Sequence, residues 1–170
     1  MLQRLTLVLG GARSGKSRQA EALVTSVPPP WRYVATAQAL DEEMRERIAL
    51  HRQRRGAGWE THEAPVDLAE AVERLGREAA PILVDCLTLW LTNLMIGGHD
   101  MAAACAKLEA ALDAARAPIV LVANEVGLGI VPENALARRF RDEAGRLNQR
   151  LAARADRVLF MVAGLAMQAK

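Results

Sequence analysis

The chain reads as an α/β protein with a mostly parallel central sheet flanked by helices. Apolar runs of strand length alternate along it with amphipathic segments of helix length. The runs Ile82-Leu83-Val84 and Ile119-Val120-Leu121-Val122 are apolar without alternation, as strands covered on both faces are. A glycine-rich turn joins the first strand to the first helix. There is no internal repeat or low-complexity tract, and 170 residues suffice for one domain, 1–170, around one core.

The first strand is Leu5-Thr6-Leu7-Val8-Leu9, and Gly10-Gly11-Ala12-Arg13-Ser14-Gly15-Lys16-Ser17 follows it. That octet fits G-x-x-x-x-G-K-[ST], the P-loop, in the strand–loop–helix setting the motif requires. Gly10 and Gly15 let the backbone turn where a Cβ would clash. The loop N–H groups then form a nest for phosphate oxygens, backed by the positive end of the following helix. Lys16 is placed to reach β- and γ-phosphates, and the Ser17 hydroxyl to bind Mg²⁺. The expected fold is therefore a P-loop NTPase domain of the RecA-like kind.

A helix is expected from Arg18 to Ser26, stopped by Pro28-Pro29-Pro30. Arg32 to Thr36 is the second strand. In a parallel sheet its carboxyl end lies on the ligand-binding edge, so Ala35, Thr36 and Ala37 read either as the rim of a nucleotide site or as a plain strand end. Asp41 to Arg55 is a charged helix in which Met44, Ile48 and His51 share a face. His51 reads as a residue of a solvated, salt-bridged helix, or as a nucleophile toward phosphorus with the neighbouring arginines holding the phosphates. Gly56 to Gly58 break that helix, and Trp59 to Pro65 is a short extended piece. Glu63 within it is either a solvated loop carboxylate or an acceptor for a ribose or guanine edge.

Asp67 to Ala79 is helical, and Pro81-Ile82-Leu83-Val84-Asp85 is a strand. An apolar strand ending in Asp is the Walker B arrangement; Asp85 either holds Mg²⁺ across from the P-loop or caps the next helix. Cys86 to Leu94 continues as a largely buried helix, with Trp90 in the core. Gly97 to Asp100 is a loop, Met101 to Arg116 an Ala-rich helix and Ile119 to Ala123 a buried strand. Asn124 to Pro132 follows, with two polar residues and two glycines at the ligand edge, an active-site loop or a bland turn. Asn134 to Ala153 is a long amphipathic helix whose outer face offers Arg138–Asp142 and Arg139–Glu143 pairs. Asp156 to Ala163 is the last strand, ending at Gly164.

Composition narrows the function classes. Hydrophobic residues make up 51% and charged residues 25%, an ordinary globular balance, and a net charge of +2 is too small to argue for nucleic acid or an anionic membrane surface. No apolar run reaches the length of a membrane span. The start runs directly into a strand and the P-loop rather than a signal peptide, so a cytoplasmic location is expected. Cys86 and Cys105 lack metal-ligand spacing and read as reduced thiols.

The residues now assembled resemble the bifunctional adenosylcobinamide kinase / adenosylcobinamide-phosphate guanylyltransferase family of cobalamin biosynthesis. The likeness runs through Gly-Gly-Ala-Arg-Ser-Gly-Lys-Ser at 10–17, Tyr-Val-Ala-Thr-Ala at 33–37, His51 and Trp-Glu-Thr-His-Glu at 59–63. It continues through Asp-Cys-Leu-Thr-Leu-Trp-Leu-Thr-Asn-Leu at 85–94, Asn-Glu-Val-Gly-Leu-Gly-Ile-Val-Pro at 124–132 and Gly-Arg-Leu-Asn-Gln at 145–149. The P-loop is shared widely; the Asn-Glu-Val-Gly and Gly-Arg-Leu-Asn-Gln stretches are far more specific.

The resemblance implies that His51 takes GMP from GTP as a covalent intermediate. It makes Ala35, Thr36, Ala37, Arg52, Gln53, Arg54, Arg55, Glu63 and Asp85 nucleotide-site residues beside the P-loop. Its implied substrates are adenosylcobinamide and its phosphate, with ATP and GTP as donors, Mg²⁺ as cofactor and a homotrimer as the assembly. Two other classes fit the P-loop alone: a small-molecule kinase with a structural His51, and a RecA-like regulatory ATPase.

Overall fold

The computed structural model describes residues 2–38, 42, 45, 46, 48, 49 and 55–170. Its strands are β1 (Leu5–Gly10), β2 (Trp31–Ala35), β3 (Trp59–Glu63), β4 (Ile82–Asp85), β5 (Ile119–Asn124), β6 (Arg157–Val162) and β7 (Leu165–Gln168). Its long helices are α1 (Lys16–Val24), α2 (Leu68–Leu75), α3 (Leu87–Ile96), α4 (Met101–Ala114) and α5 (Ala135–Arg154). Glu42, Arg45, Glu46, Ile48 and Ala49 are helical as expected. His51, Arg52, Gln53 and Arg54 lie outside the described residues.

The strands form one seven-stranded sheet in the order β3-β2-β4-β5-β1-β6-β7. Every pairing is parallel except β6 with β7. β1, β4 and β5 are the apolar runs singled out in the sequence, and they take the interior of the sheet because both their faces are covered. Alternation along each strand divides the core. Leu5, Leu7, Ile82, Val84, Ile119 and Leu121 face α2, α3, α4 and α5. Val8, Leu83, Val120 and Val122 face the side that α1 covers with Ala20 and Val24. Trp90 is buried in the larger cluster, as the sequence indicates, and its indole N–H donates to Val66 O at 2.8 Å.

Two elements differ from expectation. The extended piece after Gly58 is a true edge strand, β3, in parallel register with β2 from Trp31↔Trp59 to Ala35↔Glu63. The chain also does not leave the sheet after β6. Ala163 (φ 50°) and Gly164 (φ 80°) reverse it into β7, whose four residues are all exposed. Positive φ at both turn positions is the geometry of a tight hairpin, and Gly164 supplies only one of them without strain. That hairpin braces the P-loop, because Gly164 N donates to Ser14 O at 3.1 Å.

The helix ends follow their capping residues. Asn134 Oδ1 accepts from Leu136 N and Ala137 N at 2.8 and 3.1 Å to open α5, and Asp100 caps α4 through Ala103 N at 3.0 Å. The charge pairs on α5 are not the ones its spacing offered. Asp142 pairs with Arg141 and Glu143 with Arg146, while Arg138 turns back to the carbonyls of Pro132 and Glu133. Those carbonyls precede the helix and out-compete an exposed carboxylate, which is worth little in water.

Candidate nucleotide site

β1 ends in Gly10, and the loop after it reverses through Arg13 (φ 54°) and Gly15 (φ 94°), both in the left-handed region. Gly10 is required by contact as well as conformation: a Cβ there would sit 2.7 Å from both Met161 O and Ser14 Oγ. Gly15 is the N-cap of α1 and no side chain caps that helix, so its first amides face the loop's concavity. Lys16 is 8% exposed, and its Nζ donates to Gly11 O at 2.6 Å, inside the loop's own curl. Burial lowers the pKa of this ammonium, partly opposed by Cys86 and Asp85 beside it. Ser14 Oγ is buried with no hydrogen-bond partner, an orphan acceptor and donor at the loop's centre.

The loop opens into a cavity of about 630 Å³ along the carboxyl ends of β2, β4 and β5. The parallel register brings these ends together: Ala35 lies beside Asp85, Asp85 beside Val122, and Gly10 beside Asn124. Of the residues expected at a nucleotide site, Ala12, Arg13, Ser14, Gly15, Lys16, Ser17, Ala35, Ala37, Arg55 and Asp85 line this cavity. Gly10 lies beneath the loop and Gly11 contributes the carbonyl that holds Lys16.

Thr36 and Glu63 are placed differently. Thr36 is fully buried, and its hydroxyl donates to Cys86 O at 2.7 Å and accepts from Cys86 N at 2.8 Å. It clamps the end of β4 immediately after Asp85 rather than facing the cavity. The even positions of β2 point away from the face that Tyr33, Ala35 and Ala37 share. Glu63 ends β3 in register with Ala35 and is exposed outside the described cavity wall. Replacing Thr36 by Val keeps the shape and removes the hydroxyl, leaving a buried N–H without its acceptor. We expect a loss of ~1–3 kcal/mol, seen as a fall in melting temperature on the order of 5 °C.

The cavity also holds Asn124, from the candidate loop at the end of β5, and residues not expected at the site. These include Tyr33, Cys86 and Leu89. Tyr33 could have been found from β-strand alternation, since it shares a face with Ala35 and Ala37. Arg55 lies over its ring, with the guanidinium carbon 3.4 Å from the centroid. Burial, then the charge of Asp85, push the Tyr33 hydroxyl's pKa up. The same two causes push the Cys86 thiol up to about 11, so it stays protonated at neutral pH.

Ser17 and Asp85 supply an alcohol and a carboxylate to the same cavity. Among the described residues no three His, Cys, Asp or Glu side chains converge on one point. That donor set suits a hard cation that takes one carboxylate and completes its shell with phosphate oxygens and water, which is the habit of Mg²⁺. It does not suit a caged transition metal.

A P-loop on the first strand, an acidic residue closing the neighbouring strand but one, and helices on both faces of a parallel sheet define a P-loop nucleotide-binding protein. Solved structures agree on the fold. The flagellar accessory protein FlaH from Methanocaldococcus jannaschii superposes with a TM-score of 0.52 at 13% identity, over 98% of this chain and 78% of its own. A prototypical ATPase from the type III secretion system of pathogenic bacteria gives 0.50 at 12% identity, over 97% and 56%.

Sequence comparison is far more specific. The family described as cobinamide kinase / cobinamide phosphate guanyltransferase matches residues 6–169, and the chain belongs to it. The bifunctional adenosylcobalamin biosynthesis protein CobP of Pseudomonas aeruginosa is 50% identical over 167 residues, 96% of each chain. The protein named bifunctional adenosylcobalamin biosynthesis protein CobU in Salmonella typhimurium is 45% identical over 98% of this chain and 99% of its own.

Proposed function

We propose that the chain performs both reactions of its family in the one cavity beside the P-loop. It phosphorylates adenosylcobinamide and then converts the product to adenosylcobinamide-GDP. The observation that carries this reading is the convergence of Lys16, Ser17, Asp85 and Arg55 on a single cavity in a chain matched from residue 6 to 169 by that family.

In the first reaction the aminopropanol hydroxyl of adenosylcobinamide attacks the γ-phosphate of ATP or GTP, and the nucleoside diphosphate leaves. The P-loop amides and the Lys16 ammonium stabilise the charge that spreads over the phosphoryl oxygens. Ser17 and Asp85 would hold Mg²⁺, which supplies charge neutralisation and orientation of the phosphates when bound. In the second reaction the neutral imidazole of His51 attacks the α-phosphate of GTP. A P–N bond forms and pyrophosphate leaves. The phosphate of the phosphorylated cobinamide then attacks that phosphorus and displaces His51, giving adenosylcobinamide-GDP. Ala35, Ala37, Arg52, Gln53, Arg54, Arg55 and Glu63 contribute to nucleotide binding in this reading. Thr36 contributes through the strand end it clamps.

We place the reactions in the cytoplasm and the chain in a homotrimer. No described helix is long and apolar enough to cross a membrane. The exposed apolar residues Leu128, Ile130 and Val131 beside the site offer surface for a subunit contact.

Product analysis tests the reading. With adenosylcobinamide, ATP, GTP and Mg²⁺, the expected products are adenosylcobinamide phosphate and then adenosylcobinamide-GDP with pyrophosphate. Accumulation of the phosphate alone, or nucleotide hydrolysis without any corrinoid product, would contradict it.

A further inference from the structure

We propose that Tyr33 is a positioning residue for nucleotide binding: its ring face holds the Arg55 guanidinium against the cavity wall, with its charge left for phosphate oxygens. The inference rests on the nucleotide reading above.

Arg55 is a partly buried cation that lines the cavity, and its Nε and Nη1 are buried with no hydrogen-bond partner. Among the described residues no carboxylate pairs with it. What fixes it is the Tyr33 ring, 3.4 Å from the guanidinium carbon. A carboxylate partner would occupy the N–H donors and cancel the charge that an anionic ligand needs. An aromatic face attracts the cation through its π-cloud and leaves its positive charge uncancelled. Stacked in that way, the guanidinium keeps a full positive charge at the cavity for phosphate oxygens.

Tyr33 is itself held. It is 6% exposed, and Trp59 meets it edge-on with ring centroids 6.1 Å apart at 77°. Trp59 lies against Trp31 at 5.6 Å. Trp31 anchors the turn that follows Arg55: its backbone N donates to Gly58 O at 2.8 Å, and its indole N–H donates to Val27 O at 2.8 Å. Gly58 (φ 104°) closes on the Trp31 ring so tightly that a Cβ would sit 2.9 Å from it. The edge strands β2 and β3 thus carry an aromatic stack whose last member presents Arg55 to the cavity.

The test is calorimetric binding of β,γ-methylene-GTP to the full chain and its variants. Tyr33→Leu removes the ring face and is expected to weaken binding about 3- to 30-fold, the range of a partly desolvated cation–π contact. Tyr33→Phe, which keeps the face, is expected to recover most of that loss. Arg55→Lys keeps the charge but not the planar stack, and is expected to bind nearly as weakly as Arg55→Ala. In the Arg55→Ala background, Tyr33→Leu is expected to add less than about twofold, since the two act as a unit.

Wild-type affinity in Tyr33→Leu, or losses from Tyr33→Leu and Arg55→Ala that multiply in the double variant, would overturn the inference. If Tyr33→Leu does not fold, the lysine variant decides: wild-type affinity in Arg55→Lys would overturn it. Failure of the wild-type chain to bind the analogue at all would instead overturn the nucleotide reading.

Discussion

Lys16→Ala lowers phosphorylation of cobinamide by about 10²- to 10³-fold, the usual cost of losing one preorganised charge partner in a phosphoryl-transfer site. At 8% exposure Lys16 is a buried residue, and its partly buried ammonium donates to Gly11 O within the loop. Folding lowers its pKa, so the charged form is less favoured in the folded chain than in water. A lowered lysine pKa opposes stability below the folded pKa, where the group is charged in both states. Removing it therefore leaves the melting temperature unchanged or raised, while activity collapses. A steady-state phosphorylation assay beside a thermal melt separates the two. A variant that loses activity only because it unfolds would contradict the assignment.

His51→Ala abolishes guanylyl transfer and leaves phosphorylation of adenosylcobinamide within a few-fold of the wild type. The asymmetry is the point. Phosphoryl transfer to an alcohol needs positioning and charge, roles that the proposed mechanism gives to Lys16, the loop amides and Asp85. Guanylyl transfer by displacement at the α-phosphate needs a nucleophile that leaves again, and an imidazole serves both roles. Cys86 places a thiol on the cavity wall. Its thiol, with a pKa pushed up to about 11, is protonated at neutral pH and does not substitute. Loss of both activities in His51→Ala, measured by separating the two corrinoid products, would make the residue structural.

How much of this was legible beforehand depends on whether a residue's reason is local. The P-loop was readable because Gly10 and Gly15 answer to backbone geometry, and Asp85 because it ends a strand that could only be central. The core helices lie within a few residues of their expected ends, since the stripes of α2 and α5 are set by period. β7 was not readable. Its residues are exposed on every side, so no burial pattern marks them, and Ala163 at positive φ is an unusual hairpin residue.

The placement of Thr36 was not legible, because its rim position follows from the end of β2 whereas the direction of its hydroxyl depends on the neighbouring strand. Its hydroxyl belongs to the backbone of Cys86. Tyr33 was legible in principle, since the period of the strand puts it on the face of Ala35. The Arg55–Tyr33 stack joins residues from separate segments and required the fold.

The most direct test of the central account, that one P-loop cavity serves two transfers, is the intact mass of the chain after incubation with GTP and Mg²⁺ and denaturation. A GMP-sized adduct that is acid-labile and base-stable, maps to His51, and is discharged by adenosylcobinamide phosphate is the predicted result. Bound nucleotide with no adduct, or an adduct on another residue, would contradict it.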